Sequence, residues 1–132
     1  MAENASTINW DKSVDILVVG SGNGALTAAL CSHEMGVKDV LVIEKEDQFG
    51  GSSSISGGGV WIPCNRYALE AGTEDSIADA KRYLSSVIPT GTVPEDLIDV
   101  YLGEGPNMVD FLHDHTRVRY ESLAYYPDYY SD

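Results

Sequence analysis

The chain has 132 residues, enough for one domain with a core of its own, and its 43% hydrophobic content excludes a disordered chain. A formal net charge of −13, with no Lys/Arg cluster to offset it, disfavours nucleic acid and anionic membrane as partners. No stretch reaches the length of about 18 apolar residues that a membrane span needs, and residues 1–12 lack the apolar core of a secretory signal. A cytoplasmic, soluble protein is therefore expected.

Residues 1–13 form a polar extension. Residues 14–19, VDILVV, are a β-branched run that stops at Gly20, as a buried parallel strand does. From 24 to 35 the sequence turns to Ala, Leu and Thr at helical spacing, and Gly36 supplies the stop. Residues 40–44, VLVIE, are a second apolar run. Strand, helix and strand within about thirty residues make a βαβ unit, with parallel neighbouring strands and a right-handed crossover.

A Gly/Ser-rich stretch, GGSSSISGGGVWIP, fills 50–63, and helical periodicity follows it. Residues 66–71 read as a short helix ended by Gly72. Thr73 is placed to cap a second, with Glu74 and Asp75 in its first turn and Ile77, Ala78, Tyr83, Leu84 and Val87 on its apolar side. Pro94 with Glu95 and Asp96 opens a third, ending near Gly103, and Pro106 begins a fourth through Met108, Val109, Phe111 and Leu112. Residues 118–122 suit another short strand. The chain thus divides into the extension 1–13, a βαβ unit with its Gly/Ser loop over 14–63, and a mainly helical part over 64–132 that ends rich in tyrosine.

Between the first strand and helix stands Gly20-Ser21-Gly22-Asn23-Gly24-Ala25, which fits G-x-G-x-x-G/A. In that pattern the first glycine makes a tight turn, the second lets a pyrophosphate approach the backbone, and the small third residue lets helix and strand pack closely. The helix start offers N–H groups to the phosphates. Glu44, 19 residues beyond Ala25 at the end of the second strand, is placed to accept hydrogen bonds from ribose hydroxyls. A carboxylate there repels a 2′-phosphate, so NADP is disfavoured while NAD and FAD remain. The expected fold class is α/β: a Rossmann-like βαβ unit followed by helices, an incomplete portion of a doubly wound dinucleotide-binding fold.

Flexible linkers lack large apolar residues, whereas 50–63 carries Ile55, Val60, Trp61 and Ile62 and starts six residues past Glu44. Glycines at 50, 51, 57, 58 and 59 permit close approach of a flat or charged ligand, and the serines add hydroxyl donors. The stretch reads as a cradle.

VDILVVGSGNGALTAAL, LVIEKEDQFGGSSSISGGGVWIP and YPDYY together resemble the N-terminal part of the FAD-dependent fumarate reductase and succinate dehydrogenase flavoprotein superfamily, and within it the 3-ketosteroid Δ1-dehydrogenase branch. The resemblance implies that the glycine turn at Gly20, Gly22 and Ala25 holds the FAD pyrophosphate and that Glu44 holds the adenosine ribose, with Ser21, Asn23, Gly24 and Lys45 also among the cofactor-binding residues. It implies that Gly50, Gly51, Ser52 and Ser53 continue the grip on the phosphates, and that Ser56, Gly57, Gly58 and Gly59 run along the isoalloxazine. The implied reaction removes two hydrogens from adjacent carbons beside a ketone of a ketosteroid-like substrate. Tyr129 matches a pocket residue of the steroid branch and is a substrate-site candidate.

Tyr120, Tyr125, Tyr126 and Tyr130 read as an aromatic packing cluster. His113-Asp114-His115 reads as a solvated helix end, because residues two apart on a helix do not face each other; no metal site is expected. Cys31 and Cys64 are too few and too far apart for a disulfide framework. Since the family needs a full sheet and a cap domain, these residues are expected to be an N-terminal fragment or a subunit whose partner chain supplies the rest. A fumarate- or urocanate-type flavin reductase and a non-catalytic nucleotide- or partner-binding module are the rival readings.

Overall fold

Parallel strands cannot be joined by a tight turn, so the two apolar runs must be bridged by a crossover element. Strands β1 (Ile16–Val19) and β2 (Val40–Ile43) pair in parallel with Ile16 opposite Val40 and Val19 opposite Ile43, and helix α1 (Asn23–Glu34) is the crossover. The computed structural model describes residues 9–126 and 130. They fall into two separately packed units, the first ending at Gly59 and the second beginning at Val60.

In the first unit the ladder is shorter than the apolar runs. The amides of Asp15 and Ile16 both donate to the carbonyl of Asp39 (3.1 and 3.2 Å), so regular pairing starts only at Ile16. At the other end the Gly20 amide donates to the Ile43 carbonyl at 2.7 Å. Helix α1 packs on both strands, Val18 is buried, and Cys31 is half-buried on the helix. Gly36 stands at φ +101°, a left-handed conformation that ends the helix where the sequence placed its stop. No further strand pairs with these two among the described residues.

In the second unit helices α2 (Arg66–Glu70), α3 (Ile77–Val87) and α4 (Glu95–His115) surround a core of Ala80, Leu102, Val109 and Leu112, with α2 and α3 each packed on α4. Asn65 caps α2 by accepting from the amides of Tyr67 (3.0 Å) and Ala68 (3.1 Å). Ser76, not Thr73, caps α3, accepting from the Asp79 amide at 3.1 Å. Thr73, Glu74 and Asp75 lie outside the helix because Asp75 is engaged elsewhere: its Oδ2 accepts the Cys64 amide at 2.7 Å, at a residue held at φ +56°.

The two helices expected over 94–115 are one. Pro106 lies inside α4, and Leu102, Gly105, Val109 and Leu112 form a single buried stripe at helical spacing that runs past it. An interior proline costs about 3 kcal/mol, and burial of an uninterrupted stripe outweighs that loss. Gly105 itself is packed: a Cβ there would lie 3.0 Å from Cγ2 of Ile62.

Val60 to Pro63 belong with this helical unit. Trp61 packs against Tyr83 (ring centroids 5.4 Å) and Tyr101 (6.2 Å), and the Tyr101 hydroxyl donates to the Trp61 carbonyl. The strand expected over 118–122 does not form; the Val118 amide turns back to Thr116 Oγ1 (3.0 Å) and the Arg119 guanidinium to the Thr116 carbonyl (2.9 Å). Of the expected aromatic cluster only Tyr120 packs, edge-on to Tyr67 at 5.8 Å, while Tyr125, Tyr126 and Tyr130 are exposed. His113 is not solvated as expected: its Nδ1 lies 2.7 Å from the Tyr67 hydroxyl, and the neighbouring Asp114 pairs with Arg66 at 3.0 Å. No described helix is long and apolar enough to cross a membrane.

Candidate functional site

The glycine turn begins where β1 ends. Gly20 takes φ +96°, reversing the chain, and Gly22 in extended conformation is the N-cap of α1. The first bond closing the helix runs from the Leu26 amide to the Gly22 carbonyl (3.0 Å), so the amides of Gly24 and Ala25 precede any intrahelical partner. The Asn23 amide is already taken, donating to Ser53 Oγ at 3.1 Å. Ser53 thereby brings the second loop against the helix start.

Ser21 is 2% exposed. Its hydroxyl donates to Glu44 Oε2 and accepts the Gly50 amide at 2.9 Å. The other oxygen of Glu44, Oε1, accepts the amides of Lys45 (2.8 Å) and Glu46 (3.2 Å). The Ser21 hydroxyl above all, then the Glu46 and Lys45 amides, hold the Glu44 carboxyl below its ordinary value against a smaller opposing effect of burial. Glu44 is thus an oriented anion at the C-terminal end of a parallel strand, where ligands of open α/β sheets bind.

The second loop is a one-turn 3-10 helix, Gly51–Ile55, capped by Gly50 at φ +114°. Gly51 (φ +52°) is held close to the first turn, since a Cβ there would lie 3.6 Å from Cα of Gly22. Ser52 is exposed in this turn, and Ser54 Oγ donates to the Gly51 carbonyl at 2.8 Å. Ser56 follows, accepting the Gly58 amide at 3.1 Å. Around Gly57, Gly58 and Gly59 there is open space. Lys45 is exposed and pairs with Glu46 at 3.2 Å.

An open cleft of about 300 Å³ runs beside the turn, lined by Val19, Gly20, Ile43, Glu44 and Lys45. The structure therefore brings Gly20, Ser21, Gly22, Asn23, Glu44, Gly50 and Ser53 together, and leaves Ser56 to Gly59 apart from them. Tyr129 lies outside the described residues. Sequence reasoning did not single out Val19 and Ile43, whose exposed strand-end side chains wall the cleft, nor the Glu46 amide that helps hold Glu44. Their position at the C-terminal ends of two parallel strands was the signal available.

A dinucleotide fits these residues. Amides of Gly24 and Ala25 stand at a helix start, no atom lies within 4 Å of where a Cβ of Gly20 or Gly24 would be, and an oriented carboxylate borders an apolar-walled cleft. Among the described residues no group of three or more His, Cys, Asp or Glu is arranged to hold a metal ion.

A family model for the FAD binding domain matches residues 15–126. A 3-oxosteroid 1-dehydrogenase of Mycolicibacterium smegmatis is 40% identical over 118 residues, 89% of this chain and 20% of that protein. A 4-oxocyclohexanecarboxylate 2-dehydrogenase of Sinomonas cyclohexanicum is 42% identical over 118 residues, again 89% and 20%. The crystal structure of a 3-ketosteroid-delta4-(5alpha)-dehydrogenase from Rhodococcus jostii RHA1 in complex with 4-androstene-3,17-dione matches with a TM-score of 0.74 and 26% identity, covering 83% of this chain and 23% of that one. The chain spans about a fifth of the length of the curated relatives it matches. With its glycine turn, its oriented Glu44 and a family match across most of its length, the chain belongs to the FAD binding domain family, and FAD is its cofactor.

Proposed function

We propose that this chain is the FAD-binding N-terminal part of a flavin-dependent dehydrogenase that desaturates a ketosteroid-like substrate next to its carbonyl. The observation that carries the reading is Glu44, oriented by Ser21 beside the glycine turn, in a chain 40% identical to a 3-oxosteroid 1-dehydrogenase. In this reading the amides around Gly20, Gly22, Gly24 and Ala25 face the pyrophosphate, and Glu44 accepts from the adenosine ribose. Gly50, Gly51, Ser52 and Ser53 close over the phosphates, and Lys45 flanks the ribose acid. Ser56 to Gly59 supply a side-chain-poor surface for the flat ring system, and Tyr129 is a substrate-side residue on the strength of its motif.

Held by the glycine turn, Glu44 and the second loop, FAD would supply the hydride acceptor of the reaction. The chain's own residues bind and orient it, while the groups that polarise the substrate carbonyl and remove its proton come from the remainder of the enzyme, carried by a further segment or by a second chain. The spread of relatives supports a cyclic ketone as substrate, since a 3-oxosteroid and a 4-oxocyclohexanecarboxylate dehydrogenase each match over 118 residues. The doubly wound sheet is completed in the same way, by strands added beside β1 and β2.

The test is the absorption spectrum of the purified protein, with the masses of whatever co-purifies, followed by anaerobic addition of a 3-ketosteroid to the chain joined to the segment or partner chain that completes the enzyme. Bleaching of the flavin band by the steroid is expected. Reoxidation of the reduced flavin by fumarate, without steroid bleaching, would reassign the protein to the reductase class. A colourless protein that takes up no FAD even beside a co-expressed partner would make it a binding module.

A further inference from the structure

We propose that Ser21 is the positioning residue of the dinucleotide site, holding the Glu44 carboxylate and the second glycine loop in their binding arrangement before FAD arrives. The proposal rests on the FAD reading above and adds a role for a side chain that is buried against the protein. Two strand ends and the loop that follows the second meet on one oxygen atom: Oγ of Ser21 donates to Glu44, 23 residues on at the end of β2, and accepts the Gly50 amide, 29 residues on at the start of the second loop.

Burial gives the arrangement its force. With Ser21 2% exposed, water does not replace either partner, so releasing Glu44 or Gly50 leaves a buried polar atom unsatisfied. The carboxylate is held from both sides, Oε2 by the Ser21 hydroxyl and Oε1 by the Lys45 and Glu46 amides, and its orientation is set before a ligand enters. Ordering the acid and the loop during folding removes that entropic cost from the binding step. Alanine at position 21 preserves the backbone of the fingerprint and removes only this junction.

The Ser21 hydroxyl is also the largest influence holding the Glu44 carboxyl below its ordinary value. The charged groups near Glu44 are on its own segment, Lys45 and Glu46, which pair with one another at 3.2 Å. The glycine turn 20–25 and the loop 50–59 that pack against it contain no titratable residue. FAD affinity that depends on ionised Glu44 therefore falls as pH drops through the folded-state value, and loss of Ser21 moves that fall to higher pH.

The test uses the purified protein stripped of FAD. Ser21→Ala is expected to weaken FAD and ADP binding by about tenfold and to shift the acid limb of FAD binding upward. In a Glu44→Gln background the same substitution should cost little more, because the two residues act as a unit. Hydrogen exchange should find the Gly50 amide protected in the wild-type apoprotein. Unchanged affinity and acid limb in Ser21→Ala, or effects of the two substitutions that simply add, would overturn the proposal. Should Ser21→Ala fail to fold, the wild-type apoprotein decides: rapid exchange at Gly50 refutes pre-organisation and protection supports it. A wild-type protein that binds no FAD sinks the functional reading instead, while exchange at Gly50 still reports on the junction.

Discussion

A Cβ built on Gly50 would stand 2.6 Å from the Cβ of Ser54, four residues on in the same turn. Gly50 also holds φ +114°, a conformation L side chains rarely adopt, while its amide is bound to Ser21. Overlap and backbone strain act together here, so Gly50→Ala is expected to destabilise the protein by about 2–4 kcal/mol. Denaturant unfolding of the apoprotein measures it, and retention of wild-type stability would show that the turn relaxes.

Gly22 gives the opposite contrast. Its φ of −69° suits any residue, and an added Cβ would meet only ordinary contacts, Ser53 Oγ at 3.6 Å and the Gly50 carbonyl at 3.9 Å. Gly22→Ala should therefore change apoprotein stability by no more than about 0.5 kcal/mol. If the pyrophosphate approaches this backbone, the same methyl group weakens FAD binding by at least about tenfold. Comparing thermal unfolding without cofactor against a flavin titration separates the two effects.

Glu44 carries a pH signature. Because its folded-state value is depressed, chiefly by Ser21, it contributes stability that is fully present above the ordinary carboxylate range and is lost as pH falls through the depressed value. Glu44→Gln should flatten that part of the acid limb of apoprotein stability. A limb of unchanged shape in the variant would show that other carboxylates produce it.

Pro106 interrupts the ladder of α4 and denies the Leu102 carbonyl its helical partner. Pro106→Ala restores that donor within a helix that is already continuous, and is expected to raise stability by about 1–3 kcal/mol. A higher denaturation midpoint with unchanged slope is the expected readout. A loss of stability would mean that the proline ring's own packing dominates.

Cys64 lies at φ +56° with its amide on Asp75. Burial first, then the Asp75 and Asp79 carboxylates, push its thiol above the ordinary value. Iodoacetamide at about pH 8 should accordingly modify Cys64 several-fold more slowly than a free cysteine. Peptide mapping of the alkylated protein against time measures the rate directly.

The order strand, helix, strand was legible in the sequence because its signals are local. A β-branched run, a change to helical spacing and a left-handed glycine at 36 act within a few residues of where they stand. The glycine turn and the acid at 44 were legible for the same reason, being tied to the ends of those elements. Other features depended on partners distant in sequence. Ser76 caps α3 because Asp75 is occupied by the Cys64 amide, and α4 continues through Pro106 because Leu102, Gly105, Val109 and Leu112 share one buried face. The inward turn of the Ser21 hydroxyl, toward Glu44 and Gly50, was likewise decided by the tertiary structure. A fingerprint specifies which residues a dinucleotide site requires; which of their side chains face the ligand follows from which buried polar atoms must be satisfied once the loops have packed.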